Sequence, residues 1–144
     1  MQEIEPFSYQ CGVIDCFCEM VKAGLKPLAM SHPEGSKGAR DLYLPFVKEI
    51  TRQYGVHFYA EDEAFLTDLF PISLNRGKFN FLFYRQQTVL EAYLRLKADK
   101  ASLVRTGRYA GLARKEIAYR FGRLLGYQEG DIARYLQENT DREA

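Results

Sequence analysis

FNFLFYRQQTVLEAYLRL, residues 79–96, is the densest run of large apolar side chains in the chain, and its reading decides the fold. From Val89 onward the pattern is helical. Val89, Leu90, Ala92, Tyr93, Leu94 and Leu96 crowd one broad arc at about 100° per residue, with Glu91 and Arg95 opposite. An arc that wide predicts a central helix touching more than one neighbour. The front end reads two ways. Phe79, Phe81 and Phe83 alternate with Asn80, Leu82 and Tyr84, as in a short strand. The same residues also suit the buried first turns of one long helix. Gly77 favours a fresh start near Lys78, and the reading adopted is a helix from about Phe81.

Outward from that stretch, composition sets the limits. The 144 residues suffice for one globular domain covering 1–144 with one core. A content of 47% hydrophobic and 27% charged residues predicts a soluble fold. The net charge of +1 names no partner. No apolar run approaches the roughly 20 residues that span a bilayer, so no membrane is expected. The start, MQEIEPFSYQ, is acidic and lacks the basic opening of a signal peptide. The three cysteines, Cys11, Cys16 and Cys18, lie in one segment. Residues two apart on a helix do not face each other, so Cys16 and Cys18 should not bridge. A reducing, cytoplasmic location follows. Cys16 and Cys18 read as small core side chains, with Cys11 at the boundary.

Upstream, Ser8 reads as an N-cap and Gly24 as the stop of a first helix. Pro27 and Pro33 bar a regular helix in between, leaving an edge strand at 28–31. EGSKGAR, residues 34–40, is a small-residue loop with Lys37 and Arg40 ahead of a helix. Backbone amides and a lysine there can hold an anion, although the Walker spacing is absent. A second helix covers residues 41–54, with Pro45 either a kink or its true first turn, and Gly55 ends it. VHFYA, residues 56–60, reads as a strand. Glu61, Asp62 and Glu63 then read as the acidic opening of a further helix, complementing its dipole. Histidine and carboxylate ligands raise a metal site at His32, His57 and Glu61.

Downstream, residues 95–123 are strongly basic between acidic flanks. A helix over 109–125, stopped by Gly126, carries a core stripe of Ala113, Ile117, Phe121 and Leu124. Arg108, Leu112, Lys115, Tyr119 and Arg123 form a second stripe. Cations interleaved with an aromatic ring suit phosphate and base stacking, an acidic partner protein, or a solvated face. A last helix spans 131–139. It is no helix-turn-helix reader of DNA, because Glu129, Asp131 and Glu138 would meet phosphate with only Arg134 beside them. Residues 139–144 read as a frayed tail.

The expected architecture is mainly α: one multi-helix domain of about five helices, with one or two short strands. Surplus apolar surface predicts a homodimer. No residue constellation specifies a catalyst, and no cofactor signature is present. The leading function is a small cytoplasmic interaction or ligand-binding domain. The alternatives are a phosphate or nucleic-acid binder using Lys37, Arg40, Arg108, Lys115, Tyr119 and Arg123, and an enzyme assembled from Cys11, His32, His57 and Glu61.

Overall fold

β3, residues Asn80–Tyr84, is the element the sequence leaves ambiguous, and it is a strand. A computed structural model describes residues 2–144. Among the described residues the order is α1 (Pro6–Lys22), β1 (Leu28–Met30), α2 (Lys37–Asp41), α3 (Leu44–Tyr54), β2 (His57–Glu61), α4 (Ile72–Asn75), β3, α5 (Gln87–Arg105), α6 (Gly111–Leu124) and α7 (Glu129–Glu138). The class is mainly α with short strands, as expected. No helix among them is long and apolar enough to cross a membrane.

The residues fall into two compact units. The first runs to Ala64 and takes in Gly77–Arg85. Its antiparallel sheet has the order β1-β3-β2, so the strand latest in sequence sits in the middle. Ala29 and Phe58 flank Phe83 from either side. One sheet face joins Ile14, Cys18 and Val21 of α1 and Val47 and Ile50 of α3 in a core with Ala29, Phe81 and Phe83. Every residue of β3 is buried. A strand buried on both faces loses the alternation that marks a half-buried one. The predicted long helix therefore breaks at Arg85 and Gln86, and α5 starts only at Gln87.

Three further expectations are corrected in this unit. Glu5, not Ser8, caps α1: its carboxylate accepts from the Phe7 and Ser8 amides at 3.0 and 2.7 Å, and Pro6 opens the helix. The expected second helix is two pieces, and Pro45 lies in the first turn of α3. Gly55 closes α3 in the left-handed region at φ 69°, where a Cβ would be strained. No helix opens at Glu61, which ends β2 and is 4% exposed; the next helix is α4 at Ile72.

The second unit holds Phe65–Arg76 and Gln86–Ala144. α5 buries Leu90, Tyr93, Leu96 and Lys100, a narrower stripe than the predicted arc, and Leu94 is exposed. Phe65 meets Tyr93 and Phe121 edge-on, at centroid separations of 5.8 and 5.1 Å. α6 starts at Gly111 and buries Ile117 and Phe121 as expected. α7 starts at Glu129 and crosses α6 at Gly122. The tail does not fray in this structure: Asn139 Nδ2 donates to the Asp68 carbonyl at 2.9 Å, and the Glu143 carbonyl accepts from Arg114 at 2.8 Å.

A Cβ at Gly122 would lie 2.7 Å from Ile132 Cδ1 and Cγ1, and Ile132 is completely buried. Overpacking of this kind costs about 1–3 kcal/mol, against up to ~1 kcal/mol gained by removing a helical glycine. Gly122→Ala is expected to lower the urea midpoint, and adding Ile132→Val to recover part of the loss. A midpoint raised by Gly122→Ala alone would mean that Ile132 has room to yield.

Candidate functional site

The second unit carries a cleft of about 780 Å³. Gly111, Arg114, Lys115 and Tyr119 line it from α6, and Ala133, Leu136 and Gln137 from α7. Arg142 and Glu143 line it from the tail, together with Asp68. Helical spacing explains the α6 contribution: residues 111, 114, 115 and 119 share one side of the helix.

Asp68 organises these walls. It is 4% exposed, and a buried carboxylate requires partners. Arg114 grips it with Nε and Nη2 at 2.7 and 2.9 Å, a two-point fork, and Arg142 Nη1 stands 3.9 Å away. The Arg114 guanidinium also lies 4.8 Å from the Tyr109 ring centroid. The hydrogen bonds to Asp68 raise the Arg114 pKa above its ordinary value. Behind Arg114, Lys100 Nζ donates to Glu143 Oε1 at 2.7 Å and to the Leu66 carbonyl at 2.6 Å.

The predicted stripe on α6 is brought together in part. Lys115 Nζ and Arg123 Cζ lie 5.8 and 5.5 Å from the Tyr119 ring centroid, one on each flank along the helix. Leu112 is 84% exposed, so this face is open to solvent. Arg123 is already engaged by Glu116 at 3.1 Å and Glu129 at 2.8 Å. Arg108 lies in the turn before α6, bonded to Thr106 Oγ1 at 3.1 Å. Among the described residues the Lys115 ammonium meets the Tyr119 ring and no carboxylate.

The other predicted sites have different surroundings. In the first unit, Ser36 Oγ caps α2, which has only five residues. Arg40 is 2% exposed: Nη1 donates to the Glu61 carbonyl and to Asp62 Oδ1, each at 2.8 Å, and Nε to Asp41 at 3.0 Å. Its guanidinium lies 5.3 Å from the Phe81 ring, so Arg40 is a core residue and not a loop cation facing an incoming anion. Lys37 stands 3.7 Å from Asp62. His57 lies against Tyr84 at 5.5 Å, Glu61 sits at the far end of the same strand accepting from the Glu63 amide, and His32 is exposed beyond β1. No group of three or more His, Cys, Asp or Glu among the described residues is arranged to hold a metal ion. The geometry therefore brings neither His32, His57 and Glu61 nor Cys11 into one ligand set.

All three cysteines are free. Cys18 is buried as predicted, while Cys16 is exposed and not part of the core. Burial, with Asp15 nearby, pushes the Cys18 thiol up to about 12. A folded-state pKa above the unfolded value favours the fold below the unfolded pKa. That contribution is lost as pH rises from about 9 towards 12.

Two measurements check these assignments. At neutral pH a thiol reagent is expected to modify Cys16 first and Cys18 only on unfolding. Rapid labelling of Cys18 in the folded protein would contradict its burial. Asp68→Ala leaves Arg114 without its partner and should cost about 3 kcal/mol in urea unfolding. Asp68→Ala with Arg114→Met should be more stable than Asp68→Ala alone. A neutral effect of Asp68→Ala would remove it as the organiser of the cleft.

No protein-family model matches this chain, and no curated protein and no solved structure matches it either.

Proposed function

We propose that this protein is a small binding domain without catalysis of its own, and that the α6–α7 cleft takes an anionic ligand. The carrying observation is the charge of the lining. Arg114, Lys115 and Arg142 face Asp68 and Glu143, three cations against two carboxylates. Both carboxylates are already held by cations, which leaves Lys115 as the uncommitted charge. Tyr119 beside it supplies a ring on which a planar group can stack.

Enzymatic chemistry has less support. Among the described residues lining the cleft there is no His, Cys, Ser or Thr to pair as nucleophile and base. The volume suits a small molecule or a terminal group of a larger one. An extended nucleic-acid track fits less well, because Arg114, Arg120 and Arg123 are each held by carboxylates. The free cysteines favour a reducing compartment such as the cytoplasm.

The test pairs a native mass spectrum with titrations of inorganic phosphate and of a mononucleotide such as AMP. A retained anionic mass, or titratable binding of either probe, supports the reading. Lys115→Ala should then weaken binding about tenfold, the weight of one charged hydrogen bond, and Arg123→Ala should change it little. A bare chain in the spectrum with no binding of either probe would sink the reading. The same spectrum reports stoichiometry. A dimer there would support self-association through exposed apolar side chains such as Ile4, Phe7 and Leu42.

A further inference from the structure

Glu143 stands between the open cleft and a buried cation. It lines the cleft, whereas Lys100 does not. The Lys100 side chain is only 11% exposed, and its ammonium is held by the Leu66 carbonyl and the Glu143 carboxylate. It also lies 5.7 and 5.2 Å from the Phe65 and Tyr109 ring centroids. One residue of the tail thus occupies two donors at once. Its carboxylate takes Lys100 Nζ, and its backbone carbonyl takes Arg114 Nη2 at 2.8 Å.

A third donor lies beside them without a partner. The Tyr109 hydroxyl is buried and makes no hydrogen bond. Buried hydroxyls in folded proteins are nearly always bonded, so an orphan in a polar pocket asks for an acceptor. Burial, with Asp68 and Glu143 nearby, raises its pKa, which keeps it a protonated donor. An ammonium thus holds the carboxylate of Glu143, a guanidinium N–H holds its backbone carbonyl, and the ring that both cations contact carries a phenol O–H with no acceptor. Two cations and a hydroxyl, with one residue of the chain occupying both cations, are the donor types that an oxyanion site uses.

We infer that Lys100, Arg114 and Tyr109 form an oxyanion seat at the inner end of the cleft, and that Glu143 is a built-in competitor that holds it closed until a ligand's carboxylate or phosphate displaces the tail. This rests on the anionic-ligand reading of the cleft and names where the anionic group goes. Swinging Glu143 out frees one donor on Lys100 and one on Arg114, and gives the Tyr109 hydroxyl an acceptor. The Arg114 fork on Asp68 stays in place, so the cleft wall survives the exchange. A ligand that must displace an internal group binds more weakly by the fraction of time the site is open.

Calorimetric titration of inorganic phosphate into the full chain and its variants is the test. Glu143→Ala should bind phosphate at least about tenfold tighter than the unaltered protein, which corresponds to a latch open about a tenth of the time or less. Lys100→Met on that background should abolish the gain. Glu143→Gln, which keeps an acceptor for Lys100 but not the charge, should give a smaller gain, and it answers the question if Glu143→Ala does not fold. Equal or weaker phosphate binding in the Glu143 variants would overturn the latch. Lys115→Ala separates the two levels. Phosphate binding that depends on Lys115 but not on Glu143 leaves the cleft reading standing and removes the latch. Tighter binding in Glu143→Ala that ignores Lys115 does the reverse. No phosphate binding in any variant overturns the latch.

Discussion

The second unit depends on one buried carboxylate. Asp68 lies in an irregular stretch after β2 and is bonded to no helix of its own. Taking it out of water would be costly without compensation. The compensation comes from two places along the chain: Arg114 of α6 forks onto the carboxylate and Arg142 stands near it, while Asn139 satisfies the Asp68 backbone carbonyl. The fork also sets the rotation of α6. With Arg114 turned to Asp68, helical geometry puts Lys115 about 100° round, on the cleft wall, and carries Tyr119 and Arg123 along the same outer face. The position of the uncommitted lysine thus follows from the demand of the buried acid.

Much of the charge in this unit is neutralised locally. The basic middle of the sequence looks like a candidate nucleic-acid surface when charges are counted along the chain. In the structure Lys100 takes Glu143, Arg114 takes Asp68, Arg120 takes Asp99, and Arg123 takes Glu116 and Glu129. Three of those acids, Asp68, Glu129 and Glu143, come from the acidic flanks. The charge asymmetry of the sequence is therefore partly an ion-pairing pattern, with each half supplying what the other needs. A solvated ion pair contributes little to stability, so exposed Arg123 with its two carboxylates matters less than the enclosed Asp68–Arg114 fork.

Local signals carried what was legible in advance. Gly24, Gly55 and Gly126 end helices at positive φ, Pro45 opens one, and the two short strands before β3 lie where proline and β-branched residues placed them. The central strand was legible only as one of two readings, because every residue of β3 is buried and Phe79 to Leu96 then also resembles one apolar run. The Glu61–Glu63 triplet misled for a related reason. Acidic residues suit a helix start, but here Glu61 closes a strand and Asp62 answers the buried Arg40. The α6 stripe was readable from helical spacing. Asp68 and Glu143 were not, since each is a lone acid whose meaning lies in partners 46 and 43 residues away.

The same partners keep Asp68 from acting as a general base. A general base needs an oxygen that can face the substrate and take its proton. Asp68 turns both oxygens to Arg114, and Glu143 turns one to a buried ammonium. To use Asp68, the site would first have to expose the Arg114 guanidinium. Losing Asp68 from Arg114 would dismantle the cleft wall itself. In the proposed exchange, an incoming anion takes the place of Glu143 on Lys100, so that exchange needs no lasting unpaired charge. Of the two internal acids, only Glu143 can leave without collapsing the site. The chemistry that suits an acid which leaves when another arrives is binding by displacement.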